Sequence, residues 1–337
     1  MGRMTFTVAA VALVVTLPAT ACVSERSRVA VHDAGVPLER SSGTPAPESP
    51  APRLRPEARP EARPEPEARP RRYAVGLREL RLARGPDRPL RTVLLYPRTA
   101  PPAAEAGDPP LRNTRPARGR FPLVLFSHGL HGSPERYTPV AAAWASAGFV
   151  VALPAYPHTS AGARPYRRAD IVHQPADAAY VIAQVRRLDT RRGDPLRGRI
   201  DGDRVAAVGH SAGGYTTTGL FTAGHDARLR AGAVLAGWQA PGAFAGPSAT
   251  MLFLHGDADP VVPIARGRAA FGRVPWPKSF VRLPGASHGH FLLPGKRGYP
   301  QVIALVTDFL RWTLTGDQRA GRRLPPSDLP VPGTMGA

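Results

Sequence analysis

The chain has 337 residues, of which 42% are hydrophobic and 21% charged, values that are ordinary for a globular protein. Its 40 prolines and 34 glycines are too many for one packed domain, and much of the excess lies in residues 1–72. The chain after position 72 is long enough for one large domain with a sizeable core, so separate modules are not expected there.

The formal net charge of +20 resides mainly after position 72, where 34 basic residues face 17 acidic ones. A nucleic-acid partner would require clustered arginines with interleaved aromatic residues, but aspartates interrupt the densest basic stretch, 164–204. We therefore expect no nucleic-acid partner. The excess charge is interpreted as a solvated basic surface that attracts anions.

Residues 1–21 are typical of an export signal, with Arg3 at the start, an apolar run over 5–17 and the small residues Ala19-Thr20-Ala21. The apolar run is shorter than the roughly 20 residues of a membrane-spanning helix. The only cysteine, Cys22, follows directly and resembles the lipidated cysteine of bacterial lipoproteins, although Ala19 stands where leucine is usual. The sequence thus predicts an exported lipoprotein anchored to the membrane at the cell surface, with simple secretion as the alternative.

Residues 22–72 have no apolar periodicity, and 55–64 repeat a four-residue unit of arginine, proline, glutamate and alanine. Such a segment cannot bury enough apolar surface to fold, and its prolines favour an extended spacer. We predict a disordered tether over 22–72, a catalytic domain over 73–316 and a disordered tail over 317–337. The single cysteine excludes a disulfide within the chain.

Apolar runs alternate with helical patterns through the predicted domain. This order predicts an α/β fold with a mostly parallel, doubly wound sheet and helices on both faces. Strands are predicted at 92–96, 123–126, 149–153, 205–208, 233–235, 251–254 and 280–283, and helices at 137–147, 175–188, 215–221 and 299–314.

The strand predicted at 205–208 leads directly into Gly209-His210-Ser211-Ala212-Gly213, and a helical pattern follows. This is the motif G-x-S-x-G in the strand, sharp turn and helix setting of a nucleophilic serine. A side chain at 209 or 213 would collide with the neighbouring backbone, so the turn requires glycine at both positions. A plain Gly-Ser turn is the alternative, but the setting favours a nucleophile.

A serine hydroxyl is nearly inert at neutral pH, so Ser211 needs a base and an orienting acid. Asp257 and Asp259 follow one later predicted strand, and His288 and His290 follow the next. Because the ends of successive parallel strands meet at one edge of a sheet, these side chains are expected near Ser211. The sequence therefore predicts a Ser-His-Asp triad that needs no metal or cofactor.

The chain resembles the α/β-hydrolases. Within that fold it is similar to a bacterial group of serine esterases related to platelet-activating-factor acetylhydrolases, cutinase-like polyester hydrolases, chlorophyllases and predicted dienelactone hydrolases. The resemblance covers 73–314. It rests on Phe126-Ser127-His128-Gly129-Leu130, the 148–151 strand, the G-x-S-x-G turn, the 256–263 loop and Gly285-Ala286-Ser287-His288.

The resemblance implies roles for individual residues. Asp259 would be the triad acid and His288 the base, and the backbone N–H groups of Leu130 and Ala212 would form the oxyanion hole. Trp238 resembles the aromatic residue that lines the acyl cleft of polyester hydrolases, with an ordinary core or rim tryptophan as the alternative.

Two neighbours compete with these assignments. Asp257 is interpreted as a loop-capping residue rather than the triad acid. His290 remains a rival to His288.

These observations predict a monomeric serine hydrolase that cleaves carboxylic esters through an acyl-enzyme. The substrate is expected to be a small-molecule or polymeric ester of the short-chain acyl, acetyl-phospholipid or polyester type. True dienelactone hydrolases use cysteine where this chain has Ser211, so their activity is not implied. The alternatives are a non-catalytic, envelope-binding lipoprotein on a hydrolase scaffold, and a peptidase or amidase with the same triad.

Overall fold

The computed structural model describes residues 72–100, 109–222 and 224–325. The predicted export signal, Cys22, the tether up to residue 71 and residues 326–337 of the predicted tail lie outside the described residues. Among the helices that are described, none is long and apolar enough to cross a membrane.

Strands and helices alternate through most of the described part of the chain. The strands are β1 (Ala74–Ala83), β2 (Pro89–Arg98), β3 (Leu111–Arg112), β4 (Phe121–Ser127), β5 (Val150–Pro154), β6 (Ile200–His210), β7 (Leu229–Leu235), β8 (Thr250–Gly256) and β9 (Lys278–Leu283). The α-helices are α1 (Pro134–Ser146), α2 (Gln174–Arg187), α3 (Ala212–Leu220), α4 (Ile264–Arg273), α5 (Tyr299–Thr315) and α6 (Gln318–Arg322). Short 3₁₀ turns occur at Arg168–His173 and His290–Leu292.

The strands form one sheet of nine in the order β3-β1-β2-β5-β4-β6-β7-β8-β9. β2 runs antiparallel to its neighbours β1 and β5, whereas the pairs from β5 to β9 are all parallel. The predicted α/β class with a mostly parallel sheet is confirmed. The carboxyl ends of β4, β6, β7, β8 and β9 consequently point to the same edge, where the candidate site lies.

Each face of the sheet carries its own apolar core. Trp144 of α1 and Phe309 of α5 are almost fully buried in one cluster, and Val181 of α2 and Ala270 of α4 are buried in the other. Every residue of β4 is buried because helices cover both of its faces. Burying one such large apolar side chain contributes about 1.5–3 kcal/mol, which fixes the helices against the sheet. Helices on both faces, as predicted, are therefore confirmed.

Four elements have no counterpart in the sequence analysis: β1, β3, α4 and α6. β1 is a strand of the antiparallel part of the sheet, and charged residues such as Arg78 and Glu79 interrupt its apolar pattern. α4 exposes three arginines and Gly272, and only Gly267 and Ala270 of its residues are buried. In β1 and α4, charged residues or glycines stand between the apolar residues, so neither segment was recognised in the sequence.

The prediction of a disordered tail beginning at residue 317 is wrong for residues 317–325. The Asp317 carboxylate accepts a hydrogen bond from the Ala320 N–H at 3.0 Å and so caps α6. Ala320 is fully buried, and Arg323 forms an ion pair with Asp308 of α5. Because these contacts join α6 to α5, the packed domain extends beyond the predicted boundary at residue 316.

Candidate active site

Ser211 lies in a strained turn between β6 and α3, with φ 57° and ψ −120°. A β-carbon on Gly209 would lie 2.0 Å from the Gly213 carbonyl oxygen, and one on Gly213 would lie 1.9 Å from the Ser127 carbonyl oxygen. Atoms cannot approach so closely, so the predicted requirement for glycine at both positions is confirmed. The crowded backbone holds the Ser211 side chain at the carboxyl edge of the sheet.

The loop after β9 brings His288 to this serine. The His288 Nε2 atom is 2.8 Å from Ser211 Oγ, a normal hydrogen-bond distance. His288 Nδ1 lies 2.7 Å from Asp259 Oδ2. An ionised carboxylate only accepts, so Nδ1 carries the proton and Nε2 is free to accept from the serine hydroxyl.

Asp259 lies on the loop after β8, and its carboxylate is buried. Its Oδ1 accepts hydrogen bonds from the backbone N–H groups of Val261 at 2.8 Å and Val262 at 2.9 Å. These two bonds leave Oδ2 directed at His288. The loop therefore fixes the orientation of the carboxylate independently of its histidine partner.

His255 supports the same loop from below. Its Nε2–H donates to the Val262 carbonyl oxygen at 2.8 Å and lies 3.6 Å from Asp259 Oδ2. Burial lowers the pKa of His255, which keeps the ring neutral. The sequence analysis assigned no role to His255. Its spacing of four residues before Asp259 is the signal that could have indicated this contact.

Asp257 and His290, the alternatives to Asp259 and His288, take no part in the hydrogen bonds that connect Ser211, His288 and Asp259. Asp257 pairs with Arg282 at 2.6 Å and accepts the Gly285 N–H at 2.7 Å, as expected for a loop-capping residue. His290 is exposed and lines a cavity of about 380 Å³ together with Phe291. The structure thus brings together Ser211, Asp259 and His288 and leaves the other two out.

The backbone N–H groups of Leu130 and Ala212 belong to two segments that meet at Ser211. Leu130 follows Gly129 in the loop between β4 and α1, and a β-carbon on Gly129 would lie 3.1 Å from Ser211 Cβ. Ala212 is the first residue of α3, where helix N–H groups point outward. Within the described part of the chain, neither N–H has a hydrogen-bond partner. Their role as oxyanion donors stays a prediction.

Two neutral histidines pack around the site. Burial lowers the pKa of His128 to about 4 and that of His210 to about 3. His128 contacts the Gly129 carbonyl oxygen at 2.7 Å, and His210 contacts the Tyr137 hydroxyl at 2.9 Å. Because both rings are uncharged near neutral pH, they add no positive charge beside His288.

Two pairs of stacked or packed rings involve residues close in sequence to Ser211 or Leu130. The half-buried Trp238 packs against Tyr215, which is one helical turn after Ser211, with ring centroids 5.8 Å apart. In the second pair, His131, which directly follows Leu130 in the chain, stacks on Tyr166 with ring centroids 3.9 Å apart. The sequence analysis identified Trp238 but not the His131–Tyr166 pair, since Tyr166 is distant in sequence and follows no recognised motif.

No group of three or more histidine, cysteine, aspartate or glutamate side chains suited to a metal ion occurs within residues 72–100, 109–222 and 224–325.

The mostly parallel sheet, with a serine in a strained strand-to-helix turn and a histidine and an aspartate on later loops, defines an α/β-hydrolase. A family model described as PETase, PET hydrolase-like, matches residues 128–310, which is more than half of the chain. The chain belongs to this PET hydrolase-like family. Membership implies an esterase and an ester substrate.

Curated proteins include distant relatives of the chain. The platelet-activating factor acetylhydrolase of Cavia porcellus is 26% identical, and that of Bos taurus is 25% identical. Each match covers 36% of this chain and 36% of the relative. The chain thus spans about a third of the length of these curated relatives.

Proposed function

We propose that this protein is a serine esterase that hydrolyses carboxylic esters through an acyl-enzyme intermediate. The observation that carries the proposal is the unbroken line of hydrogen bonds from Ser211 through His288 to Asp259, with distances of 2.8 Å and 2.7 Å. These hydrogen bonds connect a nucleophile, a base and an orienting acid.

In the first half-reaction, Ser211 Oγ attacks the ester carbonyl carbon while His288 Nε2 takes the hydroxyl proton. Asp259 holds the Nδ1–H and stabilises the positive charge that develops on the ring. The N–H groups of Leu130 and Ala212 donate to the carbonyl oxygen as it becomes negative. The bond to the alcohol oxygen then breaks, and His288 returns its proton to the departing alcohol.

In the second half-reaction, water replaces the alcohol. His288 takes a proton from the water molecule, whose oxygen attacks the acyl carbon attached to Ser211. When the acyl–Oγ bond breaks, the proton passes to Ser211 and the carboxylic acid leaves. The enzyme returns to its starting protonation state, so the cycle consumes one ester and one water.

The triad is tested with Ser211→Ala and a control, Ser279→Ala, which changes a half-buried serine of β9. We expect Ser211→Ala to lower kcat/KM for p-nitrophenyl acetate by about 10⁴-fold or more and to abolish labelling by a fluorophosphonate. Ser279→Ala should behave as the parent enzyme. Undiminished turnover in the Ser211 variant would place the chemistry elsewhere, and an unlabelled parent enzyme would favour a non-catalytic binding protein.

The substrate is proposed to be a small-molecule or polymeric ester of the short-chain acyl, acetyl-phospholipid or polyester type. The family description and the names of the two curated relatives support this range. Trp238, beside Tyr215 near the serine turn, is proposed to line the acyl cleft. A panel of p-nitrophenyl esters of increasing chain length, with matching p-nitroanilides, separates these acyl groups and distinguishes an esterase from an amidase.

The protein is further proposed to act as a monomer and to be exported and lipidated at Cys22, with secretion as the alternative. The position of Cys22 directly after Ala19-Thr20-Ala21 supports this proposal. Mass spectrometry of the mature N-terminus tests it: a diacylglyceryl mass on Cys22 is expected, and an unmodified chain that begins elsewhere would contradict it.

A further inference from the structure

Buried side-chain hydrogen bonds connect the loop after β5 with α2 and α3. The residues that form them are Thr159, Gln174 and Thr216, which are all fully buried. Gln174 Nε2 donates to Thr159 Oγ1 at 2.7 Å, and the Thr216 hydroxyl donates to Gln174 Oε1. None of the three lies on the proton path from Ser211 to Asp259. We call this set the glutamine bridge.

One end of the glutamine bridge holds the loop that carries Leu130. The Thr159 carbonyl oxygen accepts the His131 N–H at 2.9 Å, and Ala161 donates its N–H to the Gly132 carbonyl oxygen at 2.7 Å. These two bonds attach the loop directly after Leu130. On the other side of Leu130, His128 contacts the Ser160 hydroxyl at 2.9 Å. The 159–161 segment is therefore hydrogen-bonded to residues on both sides of Leu130 in the chain.

The other end of the glutamine bridge lies in α3, the helix that begins at Ala212. Thr216 is one helical turn after Ala212, and its hydroxyl lies 3.1 Å from the Ala212 carbonyl oxygen. The Gln174 side chain thus connects the two chain segments that carry the proposed oxyanion donors. Those segments are separate in sequence, and their donors must converge on a single oxygen atom.

The chemistry of the amide suits this connection. An uncharged amide offers a donor and an acceptor at the same time, and Gln174 uses one for Thr159 and the other for Thr216. Leaving a buried amide group unpaired is unfavourable, so the side chain has one strongly preferred orientation. Gln174 is also the first residue of α2, which anchors it to a rigid element.

We propose that Gln174 is a positioning residue that sets the separation between the Leu130 and Ala212 N–H groups. The inference rests on the proposed function, because it concerns the oxyanion of that reaction. Since the oxyanion exists only in the transition state and tetrahedral intermediates, Gln174 acts on kcat and not on substrate binding.

The test compares Gln174→Met, which keeps the length of the side chain but removes both hydrogen bonds, with Gln301→Met on α5. We expect Gln174→Met to lower kcat by about 10- to 100-fold with KM within about twofold, less than the loss of an entire oxyanion donor. Gln301→Met should retain the parent kcat. Thr216→Val breaks the other end of the bridge by a nearly isosteric change, and it should lower kcat in the same direction.

Three further measurements separate positioning from a general loss of structure. An alkylboronic acid forms a tetrahedral adduct with an activated serine, so its inhibition constant should weaken by about the same factor as kcat/KM. The acidic limb of the pH profile should not move, because Gln174 makes its hydrogen bonds to Thr159 and Thr216 and not to the triad. In Gln174→Glu, the buried carboxyl group can both donate and accept only when it is neutral, so its kcat relative to the parent should rise as the pH falls.

The outcomes are distinguishable from failure of the proposed function. If the parent enzyme neither turns over esters nor reacts with a fluorophosphonate, the proposed function fails and the inference falls with it. If the parent is active but Gln174→Met and Thr216→Val keep the parent kcat per labelled serine, the positioning role alone is wrong. A raised KM with unchanged kcat in both variants would also overturn it.

Discussion

The Ser127 carbonyl oxygen lies 1.9 Å from the point that a β-carbon on residue 213 would occupy. β4 therefore passes so close to the start of α3 that the turn at Ser211 admits no side chain at Gly213. A separate close approach brings the loop after β4 to the nucleophile, since a β-carbon on Gly129 would lie 3.1 Å from Ser211 Cβ.

Gly213→Ala should consequently destabilise the fold or displace the serine turn. We expect a loss of about 3 kcal/mol or more in the free energy of unfolding, because the β-carbon meets backbone atoms that cannot rotate away. Gly272→Ala in α4 is the matched control, since a β-carbon there meets no atom within 4 Å. That change should stabilise the protein by about 0.5–1 kcal/mol. Urea denaturation of both variants checks the prediction, and equal stability would contradict it.

His288 and His290 provide a second matched pair. His288→Ala removes the proposed base and should lower kcat by about 10⁴-fold or more, close to the effect of losing the serine. His290→Ala should leave kcat within about threefold of the parent, because its exposed ring lies outside the hydrogen-bonded line. Steady-state kinetics with p-nitrophenyl acetate distinguishes the two. A large defect in the His290 variant and a small one in the other would reverse the assignment.

Asp259 and Asp257 can be separated in the same way. Asp259→Asn keeps the size of the side chain but presents an amide to His288 Nδ1, which favours the wrong tautomer. We expect kcat to fall by about 10³- to 10⁴-fold. Asp257→Asn should mainly weaken the contact with Arg282 and change kcat by less than about threefold. Comparable kinetic defects in both variants would count against Asp259 as the triad acid.

The buried histidines predict a loss of stability in acid. His128 and His210 have folded-state pKa values of about 4 and about 3, whereas an unfolded histidine titrates near 6.5. Between these values the unfolded chain binds more protons, so the stability present above pH 6.5 is lost progressively as the pH falls. Each histidine should remove about 2 kcal/mol from the free energy of unfolding at about pH 5.

The contribution of one histidine can be isolated with His210→Phe, which fills the same space without a titrating group. Denaturant unfolding at about pH 7.5 and about pH 5 should give a smaller difference for this variant than for the parent. An equal difference in the two proteins would show that His210 is not responsible.

The alternation of strands and helices and the turn at Ser211 could be predicted because both leave local signals. The strands of the parallel sheet are continuous apolar runs, and the glycines flanking Ser211 are required by contacts within a short stretch. The choice of Asp259 and His288 needed information beyond local spacing, since the spacing placed two aspartates and two histidines at the same edge of the sheet. Only the three-dimensional positions show that Asp257 turns to Arg282 and that His290 faces solvent.

The supporting contacts could not be predicted in this way. Gln174 contacts Thr159 and Thr216 only after α2 and α3 pack together, and no local pattern marks a glutamine that connects a loop to a helix. His255 belongs to no motif, and its contact with Asp259 depends on the course of the loop between them. α6 was missed because it is very short and follows a helix that already ends at Gly316.

Because β9 is an edge strand, we expect heating to disrupt the candidate active site before the rest of the sheet unfolds. Among the strands that the structure describes, β9 pairs with β8 alone, whereas β6, which leads to Ser211, is flanked on both sides. The outermost strand separates most easily, so His288 should leave the hydroxyl group while the interior remains intact. The midpoint temperature for loss of hydrolysis should therefore be lower than the midpoint for loss of the near-ultraviolet circular dichroism signal. Coincident midpoints would show that the edge strand is as stable as the centre of the sheet.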